Sequence, residues 1–130
     1  MVLIVEDDAT FRRTVKETLL PGFPFLVIRE ASDGSEAFRE INAQVPAVVF
    51  MDIRLPGDNG LVLTKKIKEK HPETVIAILT SYDQPEYREL ALKNGATYFL
   101  LKGSIAPEEI VSVVKNSLFH KGNGFHTTSA

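Results

Sequence analysis

At 130 residues, the chain has the length of one domain and is long enough to bury a core without disulfides. Its 44% hydrophobic and 25% charged residues are ordinary for a soluble globular protein. The lack of cysteine excludes a disulfide framework and a thiolate metal site, and it fits a reducing compartment. A net charge of −2 argues against broad nucleic-acid binding, and no apolar stretch reaches the roughly 20 residues that cross a bilayer. We therefore expect a cytoplasmic protein with no membrane contact.

Five apolar runs alternate with amphipathic stretches along the chain, which predicts five β–α units. The predicted strands are residues 2–5, 25–28, 47–51, 75–79 and 98–101. The predicted helices carry apolar residues three or four positions apart. Their inward-facing residues, in chain order, are Phe11, Val15 and Leu19; Ala37, Phe38 and Ile41; Leu63 and Ile67; Tyr87, Leu90 and Ala91; and Ile110, Val114 and Leu118.

Local signals mark where several of these helices begin and end. Asp8 is a candidate N-cap for the first helix, and Asp33 to Glu36 matches a capping box at the start of the second. Residues 56–60 are predicted to form a turn-rich loop before the third helix, and Gly95 is predicted to stop the fourth.

The strand composition indicates the fold class. Strands one, three and four are almost continuously apolar, as expected when helices cover both faces of a parallel sheet. Five-stranded doubly wound sheets commonly take the order 2-1-3-4-5. We therefore predict an α/β, flavodoxin-like fold with a five-stranded parallel sheet in this order and five helices.

Polar residues follow four of the predicted strands. In the predicted order, Glu6 and Asp7 after strand one meet Asp52 after strand three, with Thr80 and Lys102 on the same rim. Singly, such an acid is more often a helix cap and such a lysine a solvated surface residue. Because these acids, the hydroxyl and the lysine follow successive strands of one sheet, together they predict a ligand-binding site at that edge.

The residue types in this predicted site suit metal-assisted phosphoryl chemistry. Close carboxylates repel one another, and Mg²⁺ favours an all-oxygen site that it shares with phosphate. A phosphoryl group on Asp52 would be balanced by the metal and by Lys102, with Thr80 donating a hydrogen bond. The scattered histidines lack the spacing of a zinc site.

Four strings in sequence order, VLIVEDD, VVFMDIRLPGDNG, AILTSY and NGATYFLLK, resemble the receiver domain of two-component response regulators. The resemblance spans about residues 2–118. It is nearest to the subgroup with helix-turn-helix DNA-binding output domains, because LLKGSIAPEEIVSVV is similar to that subgroup in lacking proline after the lysine. It implies that a sensor histidine kinase transfers phosphate from a phosphohistidine to Asp52, with Mg²⁺ as cofactor and Mn²⁺ as a substitute.

The resemblance also implies the role of each site residue. Asp7 would bind Mg²⁺ directly and Glu6 through water, and the backbone carbonyl of Arg54 would complete the metal shell beside Asp52. Lys102 would contact the phosphoryl group.

Further roles implied by the resemblance concern switching and phosphate lifetime. Thr80 would move towards the phosphate, and Phe99 would turn inward as the switch aromatic, whereas Tyr98 is expected to pack in the core because strand neighbours face opposite ways. Arg54 and Tyr82 stand at positions that tune phosphate lifetime in this family.

The same resemblance suggests how the signal leaves the domain. The helix 4, strand 5 and helix 5 face, residues 85–95, 97–101 and 107–118, would contact a twin chain or an output domain. Residues 1–120 are expected to form the receiver domain, and residues 121–130 a flexible tail or the start of an interdomain linker. We favour a piece of a longer transcriptional regulator over a stand-alone receiver, with DNA contacted only by an output domain outside this chain.

Three alternatives compete with a signalling phosphoacceptor. A phosphohydrolase with Asp52 as nucleophile would need a second acid at the position of Arg54. A flavodoxin-like electron carrier would need a phosphate loop after strand one, where this chain has carboxylates. A docking-only pseudo-receiver is disfavoured because the key residues are present. We therefore expect no enzymatic turnover beyond weak self-phosphorylation from small donors and self-dephosphorylation.

Overall fold

A computed structural model of the chain describes residues 1–119 as alternating strands and helices. The strands are β1 (Val2–Val5), β2 (Ile28–Ala31), β3 (Val48–Met51), β4 (Arg54–Leu55), β5 (Asp58–Asn59), β6 (Val75–Thr80) and β7 (Tyr98–Leu101). The helices are α1 (Ala9–Leu19), α2 (Gly34–Ala43), α3 (Gly60–Lys70), α4 (Pro85–Lys93) and α5 (Pro107–Phe119). The predicted tail, residues 121–130, lies outside the described residues.

The main sheet has the predicted topology. Its five strands are parallel in the order β2-β1-β3-β6-β7, which is the order 2-1-3-4-5 when the strands of this sheet are numbered along the chain. The predicted fold class is therefore confirmed. The register pairs Val5 of β1 with Met51 of β3, so the residues that follow, Glu6 and Asp52, leave the sheet side by side.

Side chains alternate along the strands and build one core on each face of the sheet. Leu3 and Val5 pack with residues of α2, α3 and α4, whereas Val2 and Ile4 pack with residues of α1 and α5. The inner strands β1 and β3 are buried at every position. This two-sided burial explains why both strands read as continuous apolar runs.

The predicted position of the second strand was wrong. β2 begins at Ile28, the residue that ends the predicted run, and Phe25 is 96% exposed in the preceding loop. β2 is an edge strand in which only Ala31 is buried, and polar Arg29 and Glu30 form its middle. The predicted run, residues 25–28, therefore lies mostly in the loop before β2, and the strand itself has little apolar character.

The predicted inward row of α4 was only partly right. Ala91 is buried and Tyr87 is half-buried, but Leu90 is 42% exposed. In an α-helix Leu90 lies about 100° around the axis from Ala91. α4 therefore packs against the core through Tyr87 and Ala91, and Leu90 points away from it. The predicted stop is present, because Gly95 has a φ of +105°, which favours glycine.

The predicted caps are present at the first two helices. Asp8 Oδ1 accepts hydrogen bonds from the backbone N–H groups of Thr10 and Phe11 at 2.9 and 3.2 Å. Asp33 Oδ1 accepts one from Glu36 N–H at 2.8 Å. In a capping box the Glu36 carboxylate would accept a hydrogen bond from the backbone N–H of the cap residue, Asp33. Here it accepts hydrogen bonds from the backbone N–H and the hydroxyl of Ser32, the residue before the cap.

A short hairpin, which the sequence did not predict, organises the turn-rich loop after β3. Strands β4 and β5 pair antiparallel within this loop, and Gly57 at its turn has a φ of +71°. Asp58 Oδ2 accepts a hydrogen bond from Gly34 N–H at 3.0 Å, which ties the hairpin to the start of α2. Within residues 1–119, no helix combines the length and hydropathy of a membrane span.

Candidate functional site

Three carboxylates converge where β1 and β3 end. Ligand oxygens of Glu6, Asp7 and Asp52 lie within 4.8 Å of one another. Glu6 and Asp52 are 3% and 7% exposed, whereas Asp7 faces solvent. The convergence follows from the parallel register, because Glu6 and Asp52 each continue a strand of an adjacent pair. The acidic cluster is therefore open to solvent on the side of Asp7.

Lys102 lies between the two buried carboxylates. Its Nζ donates to Glu6 Oε1 and, at 3.1 Å, to Asp52 Oδ2. The lysine reaches this place because its backbone N–H bonds to the Thr80 carbonyl at 2.9 Å, which continues the β6–β7 ladder by one residue. The ammonium therefore offsets part of the negative charge at the point where it is most concentrated.

Backbone groups hold the two buried carboxylates from the other side. Glu6 Oε2 accepts from Asp8 N–H at 3.0 Å, and Asp52 Oδ1 accepts from Ile53 N–H at 2.8 Å. A guanidinium N–H of Arg12 donates to the Glu6 carbonyl. These bonds fix the orientation of Glu6 and Asp52 before any ligand is present.

Burial and charge shift the pKa values of two groups in this cluster. Burial raises the pKa of Glu6 above its usual value, and hydrogen bonds from Lys102 and from Asp8 N–H only partly offset the rise. Burial alone would lower the pKa of Lys102, but the hydrogen bond to Glu6 and the charge of Asp52 outweigh it, and the pKa is raised. Lys102 therefore stays protonated at neutral pH.

Thr80 ends β6 on the rim, as predicted, and its hydroxyl oxygen is bonded to the backbone on the far side of Ser81 in sequence. The side chain is fully buried, and Oγ1 accepts from Tyr82 N–H at 3.3 Å. Among the described residues, no hydrogen bond joins this hydroxyl to the carboxylate cluster. The Arg54 guanidinium lies 4.3 Å from the centre of the Tyr82 ring, so these two side chains contact each other.

The two aromatic residues of β7 face opposite sides of the sheet, as predicted from strand alternation. Tyr98 is buried in the core formed with α1 and α5, and Phe99 packs half-buried against the other core. The Arg88 guanidinium lies 4.8 Å from the centre of the Phe99 ring and bonds to Asp83 at 2.8 Å. Phe99 is therefore half-buried between this core and Arg88 of α4.

Sequence reasoning missed two residues of α1 that contact the site. Phe11 was assigned to the apolar face of the helix, yet its ring centre lies 4.6 Å from Lys102 Nζ. Arg12, which holds the Glu6 carbonyl, was not singled out. The available signal was their position in the first turns of α1, directly after the acidic pair.

The donor set fits a hard divalent cation. Three carboxylates and one ammonium leave a net charge of −2 among residues whose oxygens already lie within 4.8 Å. Mg²⁺ is suited to an all-oxygen site with few protein ligands. No peptide bond in residues 1–119 is cis, which includes the bond between Lys102 and Gly103.

Comparisons with known proteins agree with this geometry. The model of the response regulator receiver domain family matches residues 2–115. The oxygen regulatory protein NreC of Staphylococcus haemolyticus is 39% identical over 109 residues, which are 83% of this chain and 49% of NreC. NreC of Staphylococcus carnosus is 36% identical over 115 residues, 88% of this chain and 52% of that protein. The chain thus spans about half the length of these curated relatives.

Solved structures show the same fold. The signal receiver domain of the putative response regulator NarL from Mycobacterium tuberculosis is 31% identical, with a TM-score of 0.81 over 91% of this chain and 95% of that one. A LuxR-family DNA-binding response regulator from Staphylococcus aureus is 27% identical, with a TM-score of 0.78 over 89% and 96% of the two chains. By its sequence and its fold, the chain belongs to the response regulator receiver domain family of two-component systems.

Proposed function

We propose that Asp52 accepts a phosphoryl group from the phosphohistidine of a sensor histidine kinase in a Mg²⁺-dependent reaction. The observation that supports this most directly is the buried Asp52 carboxylate, which has Lys102 at 3.1 Å and two further acids beside it. Phosphoryl transfer needs positioning and charge neutralisation more than covalent help from the protein. In this proposal the chain is a signalling phosphoacceptor and turns over no other substrate.

The proposed transfer is a displacement at phosphorus. An Asp52 carboxylate oxygen attacks phosphorus, a new O–P bond forms, and the N–P bond of the donor imidazole breaks. Lys102 then pairs with an oxygen of the bound phosphoryl group. Bound Mg²⁺, or Mn²⁺ in its place, would neutralise charge on the transferring group, with Glu6, Asp7, Asp52 and the backbone carbonyl of Arg54 as its protein partners.

Incubation with acetyl phosphate and Mg²⁺ tests this proposal. We expect the intact mass of the protein to rise by one phosphoryl group, because a small donor needs only the site and no kinase. Chelation of the metal with EDTA should prevent the gain, since the three carboxylates would then repel the incoming phosphate. A protein that stays unmodified across a range of donor and Mg²⁺ concentrations would contradict the proposal.

The proposed switch links Asp52 to a distant surface. Thr80 would turn from Tyr82 N–H towards the phosphoryl group, and Phe99 would move into the space that it leaves. The contact of the Arg88 guanidinium with the half-buried Phe99 ring supports this proposal, because movement of the ring would change a contact with α4. The receiving surface would be α4, β7 and α5, and it would contact a twin chain or an output domain.

The stacked pair of Arg54 and Tyr82 is proposed to lengthen the life of the phosphoryl group. Arg54 follows Asp52 by two residues and its guanidinium contacts Tyr82, and in this proposal the pair hinders an attacking water molecule. Replacing both with alanine should shorten the half-life of the phosphoprotein about fivefold, which corresponds to about 1 kcal/mol in the barrier to hydrolysis. Single-turnover decay after removal of the donor measures this, and an unchanged half-life would refute the role.

The proposed biological setting goes beyond the part of the protein seen in the structure. Because the chain covers about half of its NreC relatives, we propose that it acts within a longer transcriptional regulator whose output domain contacts DNA. A relative from Staphylococcus aureus is described as a DNA-binding response regulator, which supports this assignment. The kinase partner, the homodimer, the cytoplasmic location and the linker at residues 121–130 stay predictions.

A further inference from the structure

The ring of Phe11 contacts the ammonium group at the centre of the site. Phe11 lies in the first turn of α1, where its N–H bonds to Asp8 Oδ1 at 3.2 Å. Its ring centre is 4.6 Å from Lys102 Nζ, which is within the range of a cation–π interaction. The helix cap therefore places an aromatic face beside the lysine.

The ring approaches an ammonium group that already donates to two carboxylates. Lys102 Nζ donates to Glu6 and Asp52, and an ammonium group has three donors. With the ring nearby, the Lys102 side chain is only 17% exposed. Two acids and one aromatic face thus surround the cation, and little water reaches it.

We propose that Phe11 is a positioning residue for phosphoryl transfer, whose ring holds the Lys102 ammonium beside Asp52 and excludes water from it. The inference rests on the proposed role of Asp52 as phosphoacceptor. Phe11 does not contact the reacting atoms and acts through Lys102. The negative face of the ring, rather than its volume alone, carries the effect.

Core packing alone explains the aromatic residue at position 11 less well than it explains the apolar residues that follow on the same helix face. Val15 and Leu19 lie on the same helix face and are completely buried. Phe11 is half-buried at the end of this row, where the core meets the acidic cluster. An aliphatic side chain could cover the same apolar surface, but it would offer no attraction to a cation.

The physical consequence is a restriction of a flexible side chain. Lysine carries its charge on a four-carbon stem and loses considerable rotamer entropy when fixed. A ring that favours one position of the ammonium keeps it close to where a phosphoryl oxygen forms. Without the ring, Lys102 should spend more time in water, and the transfer to Asp52 should slow.

A series of Phe11 variants separates ring electrostatics from volume. Phe11→Leu removes the aromatic face, and Phe11→Met is a second aliphatic variant in case the first does not fold. We expect both to slow phosphorylation by phosphoramidate at saturating Mg²⁺ about fivefold, from the size of a partly buried cation–π contact. Phe11→Tyr keeps the face and should retain the rate within about twofold. The matched control is Phe38→Leu, which alters a half-buried aromatic on α2 and should leave the rate unchanged.

A spectroscopic measurement without metal or phosphodonor makes the test independent of phosphorylation. The ring current of Phe11 should displace the NMR signal of the Lys102 ε-methylene group, assigned by its loss in Lys102→Arg. The displacement should disappear in the aliphatic variants and persist in Phe11→Tyr. If wild-type protein accepts no phosphate, the proposed function fails while this contact is still observed.

Two outcomes would overturn the positioning role. In the first, the aliphatic variants lose the displaced NMR signal but phosphorylate at the wild-type rate, so the contact has no effect on transfer. In the second, Phe11→Tyr slows as much as the aliphatic variants, so the effect depends on shape and not on the aromatic face. Loss of rate in the aliphatic variants alone, with the signal shift, supports the proposal.

Discussion

Replacing Asp52 with asparagine should abolish phosphorylation by acetyl phosphate. The D52N carboxamide is not a nucleophile for phosphorus, but its oxygen can still accept the hydrogen bond from Ile53 N–H. The fold should therefore survive, and we expect the free energy of unfolding to change by no more than about 1 kcal/mol. Loss of one of three repelling carboxylates would offset the weaker bond to Lys102. Intact-mass measurement and urea unfolding check the two parts separately.

The matched control for this substitution is Asp58→Asn. Asp58 is an exposed aspartate six positions further along the same loop, and it accepts a hydrogen bond from Gly34 N–H. An amide oxygen can accept the same bond, so this variant should gain the phosphoryl group at the wild-type rate. Recovery of a phosphoryl group in D52N, mapped by fragmentation to Glu6 or Asp7, would show that the phosphoacceptor was wrongly assigned.

Replacing Gly60 with alanine should lower the free energy of unfolding by about 3 kcal/mol or more. A Cβ atom built on Gly60 would lie 1.9 Å from the Asp52 carbonyl oxygen, far inside contact distance. The neighbour is backbone, so it cannot turn aside as a flexible side chain would. The start of α3 would have to separate from Asp52, and the hydrogen bond from Gly60 N–H to the Ile53 carbonyl, now 2.7 Å, would be stretched. Equilibrium urea denaturation measures the loss.

Gly103→Ala is the control for this second prediction. Gly103 also lies close to the site, but a Cβ atom there would have no heavy atom within 4 Å outside its chain neighbours. We expect its free energy of unfolding to stay the same or rise by up to about 1 kcal/mol, because alanine restricts the unfolded chain. Equal destabilisation of the two variants would mean that the close approach of Gly60 to Asp52 is not the cause.

The four strands that were predicted correctly all have apolar sequences, which follow from their burial. β1, β3 and β6 are interior strands whose side chains are almost all buried, so their sequences are apolar. β7 is an edge strand, but all four of its side chains are buried or half-buried, and its sequence is apolar as well. β2 has polar Arg29 and Glu30 in its middle and only one buried residue, so it leaves no apolar run, and its position was misjudged for that reason. The β4–β5 hairpin was missed because two strands of two residues each leave no periodic signal.

The amino-acid sequence by itself determined the alternation of strands and helices and the polar residues that follow the strands, among them Glu6, Asp7, Asp52 and Lys102. The order that five-stranded doubly wound sheets commonly take then predicted their convergence at one edge. The tertiary structure decided which atoms meet. Lys102 joins partners 96 and 50 residues away, Phe11 covers its ammonium, and the Asp52 carbonyl leaves room only for glycine at position 60. Such contacts depend on how helices pack against loops, and no local pattern of residues specifies a distance between segments so far apart along the chain.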